Sequence, residues 1–309
     1  MRLGFVGTGT MGAPMAVCLI EAGHELTVYD VRLEATSPLA ARGARITSGP
    51  AEVARLSEVV FTSLPGPSEV EHAVLDSSDG ILAGLAAGGA YIDMTTNAPG
   101  VARRIAEVCR ARGVDMLDAP VSGRPPAMTV MAGGAASVFA KYRPLLAAMA
   151  GNIFHVGESG AGCVAKLVTQ YLGYTNFVAA LEGMLIGAKA GIDLAQLARI
   201  VPLSAGASRT FDNIPRSVLT GAFTAGGTLD IVAKDLALAC DLAREVAAPA
   251  QLGLLAHDVL HRAQARGWGQ EGFPVAAKIL EAMAGIELRA TGVETLDYQA
   301  HDPRRPQGI

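Results

Sequence analysis

Residues 1–32 read MRLGFVGTGTMGAPMAVCLIEAGHELTVYDVR. A short apolar run, Leu3–Val6, leads directly into Gly7, Gly9 and Gly12, spaced G-x-G-x-x-G. A helical pattern follows to Ala22, then a second apolar run, Glu25–Tyr29, which ends at Asp30. Strand, glycine turn, helix and strand in that order open a βαβ unit. Each glycine has its own physical reason: Gly7 permits a tight turn, Gly9 lets backbone approach a diphosphate, and Gly12 lets helix pack closely on strand. The helix N-terminus then presents N–H groups and the positive end of its dipole to an anion. Asp30 stands 18 residues past Gly12, near the ~20 expected of an acid that binds a ribose. The segment is therefore expected to hold a dinucleotide, with contacts from Gly7, Thr8, Gly9, Thr10, Met11, Gly12 and Asp30. The bland alternative is a doubly wound domain that binds nothing. Asp30 would accept from both ribose hydroxyls and repel a 2′-phosphate, which favours NAD. Arg32 is open to two readings, a clamp on a 2′-phosphate or a solvated surface arginine, so NADP stays as the second choice.

Outward from this segment the alternation continues. Val59–Leu64, Ala90–Met94, Val114–Asp118 and Ile153–Val156 are strand-like, with helical stretches such as Pro99–Arg112 and Val138–Met149 between them. Such alternation predicts an α/β Rossmann domain with a doubly wound, mainly parallel sheet covered on both faces. The pattern changes at Gly162. From there to Ala190 no proline occurs, and Val164, Leu167, Tyr171, Tyr174, Val178, Leu181 and Leu185 recur at steps of three and four. One long amphipathic helix is expected, joining the first domain to an all-α second one. The later segments Leu194–Val201, Ile231–Val246, Gln251–Arg266 and Val275–Leu288 all read as helix. The expected organisation is a nucleotide-binding domain over 1–162, an all-α substrate and oligomerisation domain over 163–290, and a partly disordered extension over 291–309.

Composition narrows the function. Of 309 residues, 50% are hydrophobic and 17% charged, with a formal net charge of -4. That is ample core material and no basic footprint for nucleic acid or an anionic membrane. Unbroken apolar runs of 18 or more residues, as a membrane helix needs, are absent. Cys18, Cys109, Cys163 and Cys240 form no C-x-x-C pair, which fits a reducing, cytoplasmic setting. His257 and His261 are one turn apart, but Asp258 follows His257 where H-E-x-x-H needs Glu; no metal is expected.

Further segments carry a resemblance. TSLP at 62–65, DMTT at 93–96, DAPVSG at 118–123, GAGCVAK at 160–166 and KDLALA at 234–239 follow the glycine-rich opening in order. Together they make the chain resemble the β-hydroxyacid dehydrogenases, among them 3-hydroxyisobutyrate dehydrogenase and tartronate semialdehyde reductase, from residue 1 to about 285. The resemblance implies Leu64, Pro65, Thr96 and Lys234 at the dinucleotide, Ser122 and Gly123 at a substrate carboxylate, and Lys166 as the catalytic lysine. The chemistry agrees: alcohol oxidation needs a hydride acceptor and a base, and an amine partly desolvated in a cleft titrates nearer neutrality. Gln170 lies one turn past Lys166, on the same helix face, able to bond a substrate oxygen or orient the lysine. The family usually has asparagine three or four positions after the lysine; Thr169 and Gln170 stand here instead. The loop SGRPPAMTVMAGG is also about five residues shorter than the resemblance leads one to expect, and Arg124 replaces a glycine. Arg124 is either a bidentate partner for an acidic substrate group or a surface arginine.

The expected activity is reversible NAD(P)-dependent oxidation of a small β-hydroxyacid, 3-hydroxyisobutyrate-, serine- or glycerate-like, to its semialdehyde or keto acid. Imine or other carbonyl reduction is the rival within enzymes, and a non-catalytic dinucleotide-binding interaction module is the rival outside them. The glycine- and alanine-rich helices of the second half suit subunit packing, so a homodimer or homotetramer is expected.

Overall fold

The computed structural model describes residues 1–224 and 226–293. The chain divides into two compact units, Met1–Val168 and Thr169 onward, which part inside one long helix, Ala161–Lys189. Its 29 residues correspond to a rod of about 44 Å.

The first unit is built on a nine-stranded sheet: β1 Arg2–Val6, β2 Glu25–Tyr29, β3 Arg45–Ile46, β4 Val59–Thr62, β5 Ala90–Asp93, β6 Asp115–Asp118, β7 Val121–Ser122, β8 Met128–Gly133 and β9 Ala150–Gly157. The spatial order is β3-β2-β1-β4-β5-β6-β8-β7, with β9 also paired to β8. From β3 to β6 all pairings are parallel; β8 is antiparallel to β6 and β7, and parallel to β9. Side chains alternate across this sheet, and both faces are covered. Leu3, Phe5, Val59, Phe61, Ala90, Ile92 and Leu117 enter one apolar cluster, while Val6, Val60, Tyr91 and Met116 enter the cluster on the opposite face. This is the strand period of two with neither face wet, which is why the strands read as nearly unbroken apolar runs. Phe5 and Phe61 stack across β1 and β4 with centroids 6.0 Å apart. Burial of each such side chain stabilises by roughly 1.5–3 kcal/mol.

Three strands were not expected. β3 has two residues, too few for a pattern. β7 and β8 form a hairpin around Gly123–Ala127, where two glycine- and proline-rich stretches mask a short pairing of Val121 with Val130 and Ser122 with Thr129. The mainly parallel sheet therefore carries an antiparallel corner at the end that holds the DAPVSG segment, 118–123.

In the second unit the long helix contributes Phe177, Val178, Leu181, Met184 and Leu185 to one core. Facing them are Leu229, Val232, Leu236 and Cys240 of helix Leu229–Glu245, Val259 and Leu260 of helix Gln251–Gln264, and Ile279 and Leu280 of helix Ala277–Ala284. The expected helices leave 202–230 unassigned, and one of them needs correction. Between 201 and 224 the chain runs through short 3-10 turns, Val201–Leu203 and Phe211–Asn213, and a wider turn, Pro215–Leu219. Pro202 and Pro215, each at the start of its turn, and Gly206 between them make a continuous helix unfavourable. The stretch expected as helix over 275–288 opens as a 3-10 turn, Phe273–Ala276, and its helix stops at Gly285, whose φ of +66° is a left-handed cap. Val293 is fully buried; the rest of the expected disordered extension, 294–309, lies outside the described residues. Among the described residues no helix is long and apolar enough to cross a membrane, and no group of three His, Cys, Asp or Glu is placed to hold a metal.

Candidate active site

The parallel strands end together on one edge of the first unit's sheet. The chain after β1 turns to its neighbour β2 on one side and later to β4 on the other, a reversal that leaves a crevice at the strand ends where ligands of such sheets bind. The glycine loop occupies this place. Gly7 has φ +89°, and a Cβ on it would lie 2.3 Å from the carbonyl oxygen of Ser63. A Cβ on Gly12 would lie 1.9 Å from the carbonyl oxygen of Gly7. Gly9 is different: the nearest atom to a Cβ there is Arg32 Nη2, at 3.5 Å. Space is open beside half-buried Gly9 and closed at Gly7 and Gly12, an arrangement that suits a cradle for a diphosphate. The helix Gly12–Glu21 has no acidic residue in its first turn to compete with an anion.

Asp30 does more than the spacing predicts. Its Oδ2 accepts from the Thr8 amide at 2.7 Å and the Thr8 hydroxyl at 3.4 Å, and its Oδ1 accepts from the Arg32 amide at 2.9 Å. The carboxylate thus ties the end of β2 to the glycine loop, with the Arg32 guanidinium 3.8 Å from Oδ1 and its side chain mostly exposed. Thr10 is exposed and Met11 half-buried in the same loop.

The segments after β4 and β5 are locked by a buried polar network. Thr62 Oγ1 donates to Asp93 Oδ1 at 2.8 Å and lies 2.8 Å from the Tyr91 hydroxyl. The Thr95 amide donates to Asp93 Oδ1 and the Asn97 side-chain amide to Oδ2, both at 3.0 Å. The Leu64 amide donates to Thr95 Oγ1 at 3.0 Å. Burial pushes the Asp93 carboxyl up, while the Thr95, Asn97 and Thr62 donors hold it down. The network fixes Leu64 against Gly7, where a Cβ would lie 2.8 Å from its Cδ2, and anchors the turn that carries Thr96 to β5. Sequence reasoning had named Leu64, Pro65 and Thr96 but not the residues that hold them, Thr62, Asp93, Thr95 and Asn97. Their signal is polarity at the end of an apolar strand.

Ser122 closes β7, Gly123 follows with φ +82°, and Arg124 begins the hairpin tip; all three are exposed. Asp118, at the end of β6, accepts from the Gly160 amide at 2.7 Å and the Cys163 amide at 2.9 Å. Lys166 follows on the long helix and is 7% exposed. A lysine that buried is uncommon and marks a specific environment.

The second unit holds the other two expected residues in a cluster of its own. The Gln170 side-chain nitrogen donates to Asp235 Oδ2 at 2.6 Å and to the Tyr174 hydroxyl at 2.7 Å. Asp235 Oδ1 makes no conventional hydrogen bond but lies 2.8 Å from Lys234 Nζ. Asp235 is 3% exposed and joins Gln170 to Lys234. Burial, then the nearby Asp235 charge, push the Tyr174 hydroxyl well up, so it stays protonated. Because the two hydrogens of the Gln170 amide nitrogen serve these acceptors, its Oε1 is what it can offer a ligand, as an acceptor.

Comparison with known proteins agrees with this geometry. Residues 2–157 match the family described as the NAD binding domain of 6-phosphogluconate dehydrogenase, and residues 160–280 match the NAD-binding of NADP-dependent 3-hydroxyisobutyrate dehydrogenase. The chain is 31% identical to 2-(hydroxymethyl)glutarate dehydrogenase of Eubacterium barkeri, over 93% of this chain and 97% of that one. It is 35% identical to NAD-dependent L-serine dehydrogenase of Pseudomonas aeruginosa, over 92% and 99%. A crystal structure of 3-hydroxyisobutyrate dehydrogenase from Salmonella typhimurium superposes with a TM-score of 0.82 at 31% identity, covering 90% of this chain and 99% of that one. Fold and relatives together define an NAD(P)-dependent oxidoreductase. The chain belongs to the β-hydroxyacid dehydrogenase family.

Proposed function

We propose that this protein reversibly oxidises a small β-hydroxyacid, 3-hydroxyisobutyrate-, serine- or glycerate-like, to its semialdehyde or keto acid, with NAD preferred to NADP. A bound nicotinamide would supply the hydride acceptor for oxidation and the hydride donor for reduction. The protein's own part is to bind, orient and move a proton. Lys166 Nζ accepts the hydroxyl proton during oxidation and, as an ammonium, returns it to the carbonyl oxygen during reduction. Ser122 and the Gly123 amide receive the substrate carboxylate, as a hydroxyl and a turn N–H suit an anion. Gln170 Oε1 accepts from a substrate donor. The glycine loop from Gly7 to Gly12 would carry the diphosphate, with Leu64, Pro65, Thr96 and Lys234 as the further cofactor-binding residues that the resemblance implies. The nucleotide-binding domain is residues 1–162, whose Ser122–Gly123 turn also meets substrate, and the second domain, 163–290, serves substrate binding and assembly.

The burial of Lys166 carries this reading, because an amine withdrawn from water is a poor surface charge and a good proton-transfer group. Asp30 supports NAD: its carboxylate beside Thr8 would repel a 2′-phosphate. Leu172, Ile186, Leu252 and Leu255, all exposed on the second unit, are apolar side chains available to subunit packing and support a homodimer or homotetramer. The free thiols Cys18, Cys109, Cys163 and Cys240 support a reducing, cytoplasmic setting.

The test is a screen of β-hydroxyacids with NAD and with NADP. Substrate-dependent NADH formation, and a lower Kd for NAD than for NADP, are expected. No turnover across a broad panel with either dinucleotide would leave a binding module. Arg124→Ala is expected to raise KM for the accepted acid at least tenfold with kcat within about twofold, since a charged hydrogen bond contributes roughly 1.5–3 kcal/mol. Unchanged KM for every accepted acid makes Arg124 a bystander.

A further inference from the structure

The first N–H groups of a helix have no partner within it, and a side chain at the cap usually accepts from one of them. The long helix starts at Ala161, directly after Gly160, and glycine has no side chain to serve. The acceptor comes from 42 and 45 residues upstream instead. Asp118 Oδ1 takes the Gly160 N–H at 2.7 Å, and Oδ2 takes the Cys163 N–H at 2.9 Å. A carboxylate there also faces the positive end of the helix dipole. The approach is backbone on backbone: a Cβ on Gly162 would lie 2.3 Å from the carbonyl oxygen of Asp118 and 2.4 Å from that of Met131. Burial pushes the Asp118 carboxyl up, while the Gly160 and Cys163 amides and the Cys163 thiol hold it down. Lys166 comes three positions after Cys163, a neighbour on the helix surface. In the other direction, Asp118 leads through Ala119 and Pro120 into Val121 and Ser122. One buried side chain therefore anchors both the segment that carries Ser122 and the helix turn that precedes Lys166.

We propose that Asp118 is a positioning residue: its carboxylate fixes the first turn of the long helix on the ends of β6 and β8, and so sets where the Lys166 amine stands relative to the Ser122–Gly123 turn. The proposal rests on Lys166 as the proton-transfer group. It follows that loss of the carboxylate should damage the chemical step more than cofactor binding, whose glycine loop lies at the end of β1. A misplacement of about 1 Å suffices to cost ~10²-fold in rate.

The experiment compares Asp118→Asn, Asp118→Glu and wild type for kcat, substrate KM, Kd for NADH by fluorescence, and Tm. Asparagine keeps the shape but places an NH2 group against one of the two amides. Asp118→Asn is expected to lower kcat by about 10²-fold with Kd for NADH within about twofold. Asp118→Glu restores the charge from a longer side chain; it is expected to recover Tm but leave kcat at least tenfold low, because charge returns and position does not. A folded Asp118→Asn with wild-type kcat overturns the proposal whatever its Tm. If it does not fold alone, the assay is repeated at saturating NAD, which favours the folded form by mass action. Failure of both variants to fold even then makes Asp118 a purely structural cap and also overturns the proposal. The two readings separate cleanly. Turnover retained in Lys166→Ala removes the lysine's role, whereas a dead Lys166→Ala beside a fully active Asp118→Asn removes only the positioning role.

Discussion

Lys166→Ala is expected to lower kcat by about 10²–10⁴-fold, the usual contribution of a positioned acid/base group, and to leave Kd for NADH within about twofold. Lys166 is buried on the first turns of the long helix, and the residues that pin the glycine loop, Gly7, Gly12, Thr8 and Asp30, are elsewhere in the same unit. On the proposed role, removal of the side chain takes away the proton acceptor without touching that loop. KM is expected to change less than kcat, because an interaction realised mainly in the transition state lowers kcat and kcat/KM together. Lys166→Met, similar in volume and uncharged, is the packing control. It is expected to be as inactive as alanine, with a higher Tm, since it leaves a smaller cavity. A variant that keeps most of its kcat, with either replacement, would take the lysine out of the reaction.

The sheet is legible in the sequence because its strands are buried on both faces, so Val59–Thr62 and Ala90–Asp93 appear as short apolar blocks between helical stretches. The long helix is legible because Val178, Leu181 and Leu185 keep the helical step across a span without proline. What escapes is structure whose cause is distant in sequence. Val121–Ser122 and Met128–Gly133 pair only because β6 ends beside β8; the local sequence, rich in glycine and proline, reads as loop. The turns between 201 and 224 carry apolar residues such as Phe211, Ile214 and Val218 that reach the core, and apolar content alone does not distinguish a turn from a helix. The same holds at the site. G-x-G-x-x-G fixes the positions of the loop residues, and the interval to Asp30 fixes that of the acid. Neither says that the acid is bonded to Thr8. The cap on the long helix lies beyond local inspection altogether, because the residue directly before Ala161 is Gly160 and the acceptor is the distant Asp118. Helical spacing offers Gln170 either to a substrate oxygen or to the lysine; that its nitrogen donates to Asp235 and Tyr174 is legible only from the fold of the second unit.

The glycine loop offers the second large effect, and a way to separate folding from binding within one motif. Gly12→Ala puts a methyl group 1.9 Å from the Gly7 carbonyl oxygen and 3.1 Å from Phe5 Cε1. The first is backbone held by a positive φ at Gly7, and the second belongs to a ring stacked on Phe61, so neither can yield cheaply. The first helix must move away from β1. Overpacking of this kind costs roughly 1–3 kcal/mol and occasionally more, and the short contact puts this site at the upper end. For a unit of this size, about 3 kcal/mol lowers Tm by roughly 6–12 °C. Kd for NAD is expected to rise more than tenfold as well, because displaced helix N–H groups no longer meet the diphosphate. Gly9→Ala is the contrast. A methyl group there meets nothing nearer than Arg32 Nη2 at 3.5 Å, so Tm is expected to stay within about 2 °C of wild type. The same methyl group stands where the dinucleotide backbone must approach, so Kd is expected to rise at least as much as in Gly12→Ala. Thermal melts with titrations of NAD resolve the two effects. If Gly9→Ala binds NAD as wild type does, the loop is a packing device rather than a phosphate cradle, and the assignment of the dinucleotide to this turn fails with it.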